Sequence, residues 1–136
     1  PGLLATLGTY GSLVGRAFQL RDDLLGVFGD PSVTGKPAGD DIREGKRTLL
    51  VLMALENGNA HQRETLTSLL GAPGLTEEDL TTAREIIDTT GARDSCEELI
   101  ARSTRDALTA LEGADMDAEG LSALIALAGL ATDRDR

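Results

Sequence analysis

Aromatic residues are almost missing from this chain: one Tyr, two Phe and no Trp among 136 residues. A core without large rings must be filled by Leu and Ala, which suits helix packed on helix better than sheets of β-branched and aromatic strands. Cysteine is equally scarce. Cys96 stands alone, so there is no disulfide framework, and a reducing, cytoplasmic compartment is the simpler expectation. Positive charge is also short, with 13 Lys and Arg against 23 Asp and Glu and a net charge of -10. General nucleic-acid binding, which depends on neutralising phosphates, is thereby disfavoured. The acid excess suits solubility and attracts cations. No uninterrupted apolar run of ~20 residues and no signal peptide is present, so neither membrane crossing nor secretion is expected.

With 40% hydrophobic and 26% charged residues, the composition is that of one soluble domain or part of one. The chain opens on Pro1-Gly2-Leu3-Leu4, already inside an apolar helical pattern and without an initiator Met. It reads as a piece of a longer protein whose amino-terminal part is missing.

The pattern is helical throughout. From about Leu3 to Val27 no proline interrupts it, although Gly8, Gly11 and Gly15 each weaken an isolated helix by roughly 1 kcal/mol relative to Ala. At ~100° per residue, Gly8, Gly11, Ser12, Gly15, Gln19, Asp22, Asp23 and Gly26 fall on one face. The rest of the surface is apolar apart from Arg16 and Arg21, so a central, buried helix is expected. Gly29-Asp30-Pro31 ends it, and a loop runs to Gly39. A second helix is expected from Asp40 or Asp41 to about Glu56, and a third from Ala60 to Leu70. Thr76-Glu77-Glu78-Asp79 resembles a capping box opening a fourth helix to about Thr90. A fifth covers Arg93 to Leu111, and a sixth runs from Ala118 to Ala131 before the charged tail Asp133 to Arg136. No strand-period segment is found; the fold class is all-α.

The chemistry concentrates between residues 18 and 48. Asp22 and Asp23 are adjacent acids on an otherwise apolar helix, a placement that gives up stability and so asks for a functional reason. Magnesium takes oxygen ligands and commonly binds through one or two carboxylates plus substrate phosphates. Asp41, after the loop, offers a third carboxylate. Lys36 and Lys46 are point charges suited to phosphate oxygens. The plainer readings are a solvated acid patch for the Asp pair and a salt bridge for Lys46. Gly35-Lys36 does not open a P-loop: five residues, not four, separate Gly29 from Gly35, and Pro37 stands where Ser or Thr is required. An EF-hand loop also fails, lacking alternating acids and a closing Glu. The stripe Gly8, Gly11, Ser12, Gly15 admits either a closely packed helix or an apolar ligand tail. His61 and Cys96 carry no assigned role, and no nucleophile stands beside a base.

The run Phe18-Gln19-Leu20-Arg21-Asp22-Asp23-Leu24-Leu25-Gly26-Val27-Phe28-Gly29-Asp30-Pro31-Ser32-Val33-Thr34-Gly35-Lys36, continued by Gly39-Asp40-Asp41 and Gly45-Lys46-Arg47-Thr48, resembles the second aspartate-rich region of trans-isoprenyl diphosphate synthases, the polyprenyl synthetase family. The overall style is similar to bacterial geranylgeranyl or farnesyl diphosphate synthases. The resemblance implies an antiparallel helical bundle of the isoprenoid synthase type, with residues 1–136 as the carboxyl-terminal part of a single polyprenyl synthetase domain. It implies Mg2+ held by Asp22, Asp23 and Asp41, with Lys36 and Lys46 on the diphosphate of the allylic substrate and Gln19 orienting metal-bound water or diphosphate. The family's motif is Asp-Asp-x-x-Asp, and here its last position is Gly26; Asp41 or water would complete the shell. A first aspartate motif and the upstream basic residues for the homoallylic diphosphate are absent from this stretch. The implied partners are allylic and homoallylic diphosphates, the amino-terminal half of the same protein, and a second subunit in a homodimer. A terpene cyclase is a related alternative whose metal motifs are spaced differently. A non-catalytic helical subunit that binds diphosphate or a partner is the alternative from another class.

Overall fold

The structure, a computed structural model, describes residues 2–133. Every regular element among them is helical. Pro1 and the last three residues of the expected charged tail lie outside the described residues. Among the described residues the contacts form two compact units, one comprising residues 2–21 and 97–133, the other Asp22–Cys96.

Helix α1 (Gly2–Phe28) enters both units. Its buried residues are Tyr10, Val14, Ala17, Leu20, Arg21, Leu24 and Val27, a stripe at spacings of three and four, with Asp23 buried beside them. Burial all round, as expected from the apolar composition, is not found. Gly8, Gly11, Ser12, Gly15, Gln19 and Asp22 are exposed, and a Cβ built at Gly8, Gly11 or Gly15 would meet nothing within 4 Å. Composition alone cannot separate a helix covered on one side from one covered on all sides.

The first unit closes on α7 (Ala92–Ala110), from Glu97 on, and α8 (Ala118–Asp133). Tyr10, Val14, Ala107, Leu111 and Ala128 form its core, flanked by Leu13, Phe18 and Leu124. The Tyr10 hydroxyl donates to the Leu124 carbonyl at 2.5 Å, and burial raises its pKa. Arg21 is 2% exposed and meets Glu97 through two parallel hydrogen bonds of 2.7 and 2.9 Å. What the sequence offers as an interruption of the apolar surface is thus a buried, paired guanidinium.

The second unit holds the end of α1, then α2 (Pro31–Thr34), α3 (Asp40–Glu44), α4 (Leu49–Asn57), α5 (Ala60–Leu69), α6 (Glu77–Thr89) and the start of α7. Helices α4, α5 and α6 pack on one another. Leu50, Leu66, Leu80 and Ile87 are fully buried there; side chains of this kind stabilise by about 1.5–3 kcal/mol each. Capping boxes open α5, from Asn59 and Gln62, and α6, from Thr76 and Asp79.

Two local expectations need correction. The loop after α1 contains the helical turn α2, whose N-cap Asp30 accepts from the Ser32 amide at 2.9 Å and hydroxyl at 2.8 Å. The helix expected from Asp40 to Glu56 is two helices. Gly45, at φ 73, ends α3: its amide donates to the Ile42 carbonyl at 3.1 Å, and the Lys46 amide to that of Asp41 at 2.9 Å. This is a Schellman stop. Gly45 also lies against Gly71, whose Cα is 3.1 Å from where a Gly45 Cβ would stand. Thr48 then caps α4 by accepting from the Val51 amide at 3.3 Å.

Candidate functional site

The end of α1 and the start of α3 meet inside the second unit. Asp23 is 4% exposed and Asp41 6%, whereas Asp22 is exposed. Gly26 follows Asp22 and Asp23 by one helical turn, and the Asp41 carboxylate lies against it: a Cβ at Gly26 would have Asp41 Oδ1 at 2.9 Å and Oδ2 and Cγ closer. Since residues three and four apart share a helix face, the Asp41 carboxylate stands next in line to the two α1 acids.

Cations secure the segments that deliver these groups. Arg84 Nε donates to the Val27 carbonyl at 2.7 Å, one residue before the end of α1. The Arg93 guanidinium lies 4.1 Å from the Phe28 ring centroid, a cation–π contact. Arg43 donates to the carbonyls of Ala38 at 3.4 Å and Leu75 at 3.3 Å, and pairs with Glu77 at 3.2 Å. Gly39 starts α3 at φ 67, and a Cβ there would meet Leu80 Cδ2 at 2.9 Å, so α3 begins hard against α6.

One carboxylate oxygen each from Asp40, Asp41 and Glu44 lies within 4.8 Å of the others. Lys46 Nζ serves two of them, 3.5 Å from Asp41 Oδ1 and 3.6 Å from Glu44 Oε2. Asp41, and secondarily Glu44, holds the Lys46 pKa above its ordinary value. The Schellman stop is what turns Lys46 back: its amide binds the Asp41 carbonyl while its side chain reaches the Asp41 carboxylate. A hard-oxygen donor set of this kind fits magnesium or calcium rather than zinc or copper. A buried carboxylate is retained where a cation compensates it, and Asp41 already attracts one in Lys46.

Of the residues singled out from sequence, Asp41 and Lys46 are paired. Asp41 lies against Gly26, one turn of α1 beyond Asp22 and Asp23, whereas among the described residues the acids whose oxygens come within 4.8 Å of one another are Asp40, Asp41 and Glu44. Gln19 is exposed on α1, in the first unit. Lys36 is exposed on the loop before α3, its amide donating to Thr34 Oγ1 at 3.2 Å. Sequence reasoning missed Glu44, which the helical spacing from Asp41 signals. It also missed the arginines that secure the loop and the turn, whose carbonyl partners no motif announces.

Residues 3–87 match the Polyprenyl synthetase family. The chain is 40% identical over 122 residues to the geranylfarnesyl diphosphate synthase of Aeropyrum pernix, covering 88% of this chain and 37% of that protein. Its structure superposes on geranylgeranyl pyrophosphate synthase from Corynebacterium glutamicum, solved with isoprenyl diphosphate and magnesium, at a TM-score of 0.93 and 44% identity, covering 98% of this chain and 38% of that one. A polyprenyl synthase from Caulobacter crescentus, solved with calcium and isoprenyl diphosphate, aligns at a TM-score of 0.82 and 37% identity, covering 97% and 40%. The chain belongs to the polyprenyl synthetase family, and its all-helical fold is that of the family's solved structures. It spans 37–40% of the length of these relatives. No helix among the described residues is long and apolar enough to cross a membrane.

Proposed function

We propose that this chain is the carboxyl-terminal part of a single polyprenyl synthetase domain in a cytoplasmic, homodimeric prenyltransferase. That enzyme condenses isopentenyl diphosphate with an allylic diphosphate, in the manner of geranylgeranyl or farnesyl diphosphate synthases. The observation that carries this reading is the Asp41 carboxylate lying against Gly26, one turn of α1 beyond Asp22 and Asp23, with Asp23 and Asp41 buried and Lys46 beside Asp41. Asp22, Asp23 and Asp41 hold Mg2+ directly or through water. Bound there, magnesium supplies Lewis-acid neutralisation of charge building on the departing diphosphate.

The residues of this chain do the rest of what this half contributes. Lys46, which balances Asp41 and Glu44 in the structure, adds positive charge at the diphosphate, as does the exposed Lys36. Charge placed in advance where negative charge develops lowers the barrier to ionisation. Gln19 orients water or a diphosphate oxygen. The allylic carbon–oxygen bond breaks with its electron pair leaving on diphosphate. The double bond of isopentenyl diphosphate then attacks the allylic cation, and loss of a proton gives a chain five carbons longer. No step needs a protein nucleophile.

The test uses the full-length protein with isopentenyl diphosphate and allylic primers of increasing length. Asp22→Ala and Asp23→Ala should each lower turnover by roughly 10²–10³ or more while the circular dichroism spectrum is kept. Unchanged turnover in both would refute the metal-site reading. The 136-residue chain alone, holding part of the ligand set, should show no appreciable condensation.

A further inference from the structure

Gly26 is not explained by its backbone. Its φ is not among the positive values of this chain, so any residue could adopt its helical conformation, and glycine inside a helix is unfavourable. What it does have is a neighbour. The three nearest atoms to a Cβ built at Gly26 all belong to the Asp41 side chain, the farthest of them Oδ1 at 2.9 Å. No real Cβ tolerates that approach, so with any side chain at 26 the Asp41 carboxylate must leave. Asp41 has little freedom to do so without loss. It is 6% exposed, its carbonyl is bound by the Lys46 amide, and its carboxylate is bound by the Lys46 ammonium.

The vacancy at 26 therefore sets where an acid stands. Residue 26 is three and four positions beyond Asp23 and Asp22, on the same helix face. An acid side chain at 26 would extend the acidic row along α1. Here the space is filled from α3 instead. We propose that Gly26 is a positioning residue whose missing side chain seats the Asp41 carboxylate, so that α3 rather than α1 supplies the third acid of the site. This rests on the metal-binding reading above and adds which backbone the third acid comes from, and why residue 26 has no side chain.

The experiment measures Mn2+ bound to the full-length protein in the presence of inorganic pyrophosphate, by the loss of the free-ion electron paramagnetic resonance signal. Thermal unfolding is measured in parallel without metal. Gly26→Ala should weaken Mn2+ binding by about 10–100-fold, the range for groups that orient metal ligands, and Asp41→Ala should do the same. The swap Gly26→Asp with Asp41→Ala, which returns the acid to α1 and removes the clash, should bind within about threefold of the parent. Without metal, Gly26→Ala should lower the unfolding midpoint in the parent but not in an Asp41→Ala background, because the two positions contend for one space. Unchanged Mn2+ binding by Gly26→Ala while Asp23→Ala weakens it would overturn the seating role alone. Equal midpoint losses from Gly26→Ala in both backgrounds would also overturn it. Undiminished binding by Asp23→Ala would instead take down the metal reading, and this inference with it.

Discussion

Gly11 and Gly26 lie on the same face of one helix, and each weakens that helix by the same intrinsic amount. Around Gly11 the space is open: a Cβ there would meet nothing within 4 Å. Around Gly26 it is filled by a buried carboxylate. The two ends of α1 differ in the same way on their buried sides. Towards the amino terminus, Tyr10 and Val14 pack in an apolar core. Towards the carboxyl terminus, Arg21 and Asp23 are buried among the apolar residues, and Arg21 pairs with Glu97. One end is held by area removed from water, whereas the other keeps charge where charge is expensive. Stability and chemistry are therefore separable along a single helix, and substitutions can show it.

The largest effect on stability should come from Tyr10. Replacing a buried aromatic side chain by Ala costs about 3–5 kcal/mol through lost transfer energy and the cavity left behind. Tyr10→Ala should lower the urea midpoint of this chain by a corresponding amount. Tyr10→Phe, which removes only the hydrogen bond to Leu124, should cost about 1 kcal/mol. A loss below about 1 kcal/mol for Tyr10→Ala would mean that the amino-terminal end of α1 is not held by this core.

Gly11→Ala should act in the opposite direction. With open space at Gly11 and an ordinary helical φ, the substitution should stabilise this chain by roughly 0.5–1 kcal/mol, by restricting the unfolded state and improving propensity. Gly26→Ala, with the same intrinsic gain, should still destabilise. If the two substitutions shift the urea midpoint alike, the distinction between an open and an occupied glycine is wrong.

The all-helical class was legible because a core poor in rings leaves Leu and Ala to do the packing, and because Gly29-Asp30-Pro31 and Thr76 punctuate the chain locally. The break at Gly45 was missed although its signals, a glycine and then Thr48, were in view. The helical spacing of Ile42, Leu49 and Met53 outweighed them, yet the Gly45–Gly71 approach requires the chain to turn there. At the site, Asp41 and Lys46 could be chosen from residue type, since carboxylates and amines announce themselves. Gly26 could be noted only as an acid missing from an expected place. That its emptiness accommodates Asp41 is a contact across 15 positions of sequence, and neither periodicity nor composition carries such contacts. Arg21 shows the same limit, because a basic residue on an apolar helix gives no sign of the glutamate 76 positions later that makes its burial tolerable.

The smallest effect tests how tightly the Asp41 seat is charged. Asp41 and then Glu44 raise the Lys46 pKa above its ordinary value of 10.5. A group whose pKa is raised by folding stabilises the native state while it is protonated in both states, and that contribution is lost as pH climbs through the folded value. The Lys46 contribution should thus be fully present at neutral pH and decline only above about 10.5. Because the side chain is 54% exposed, solvent screens the pair and the effect on stability is small. The thermal midpoint of Lys46→Met should sit slightly below that of the parent, by an amount that is flat from about pH 7 to 10 and shrinks beyond about pH 10.5. High salt should reduce the difference at neutral pH as well, since the pair is only half-buried. A difference that persists undiminished at strongly alkaline pH would mean that Lys46 supports α3 through its methylene stem, and that the Asp41 carboxylate stays on Gly26 without help from its charge.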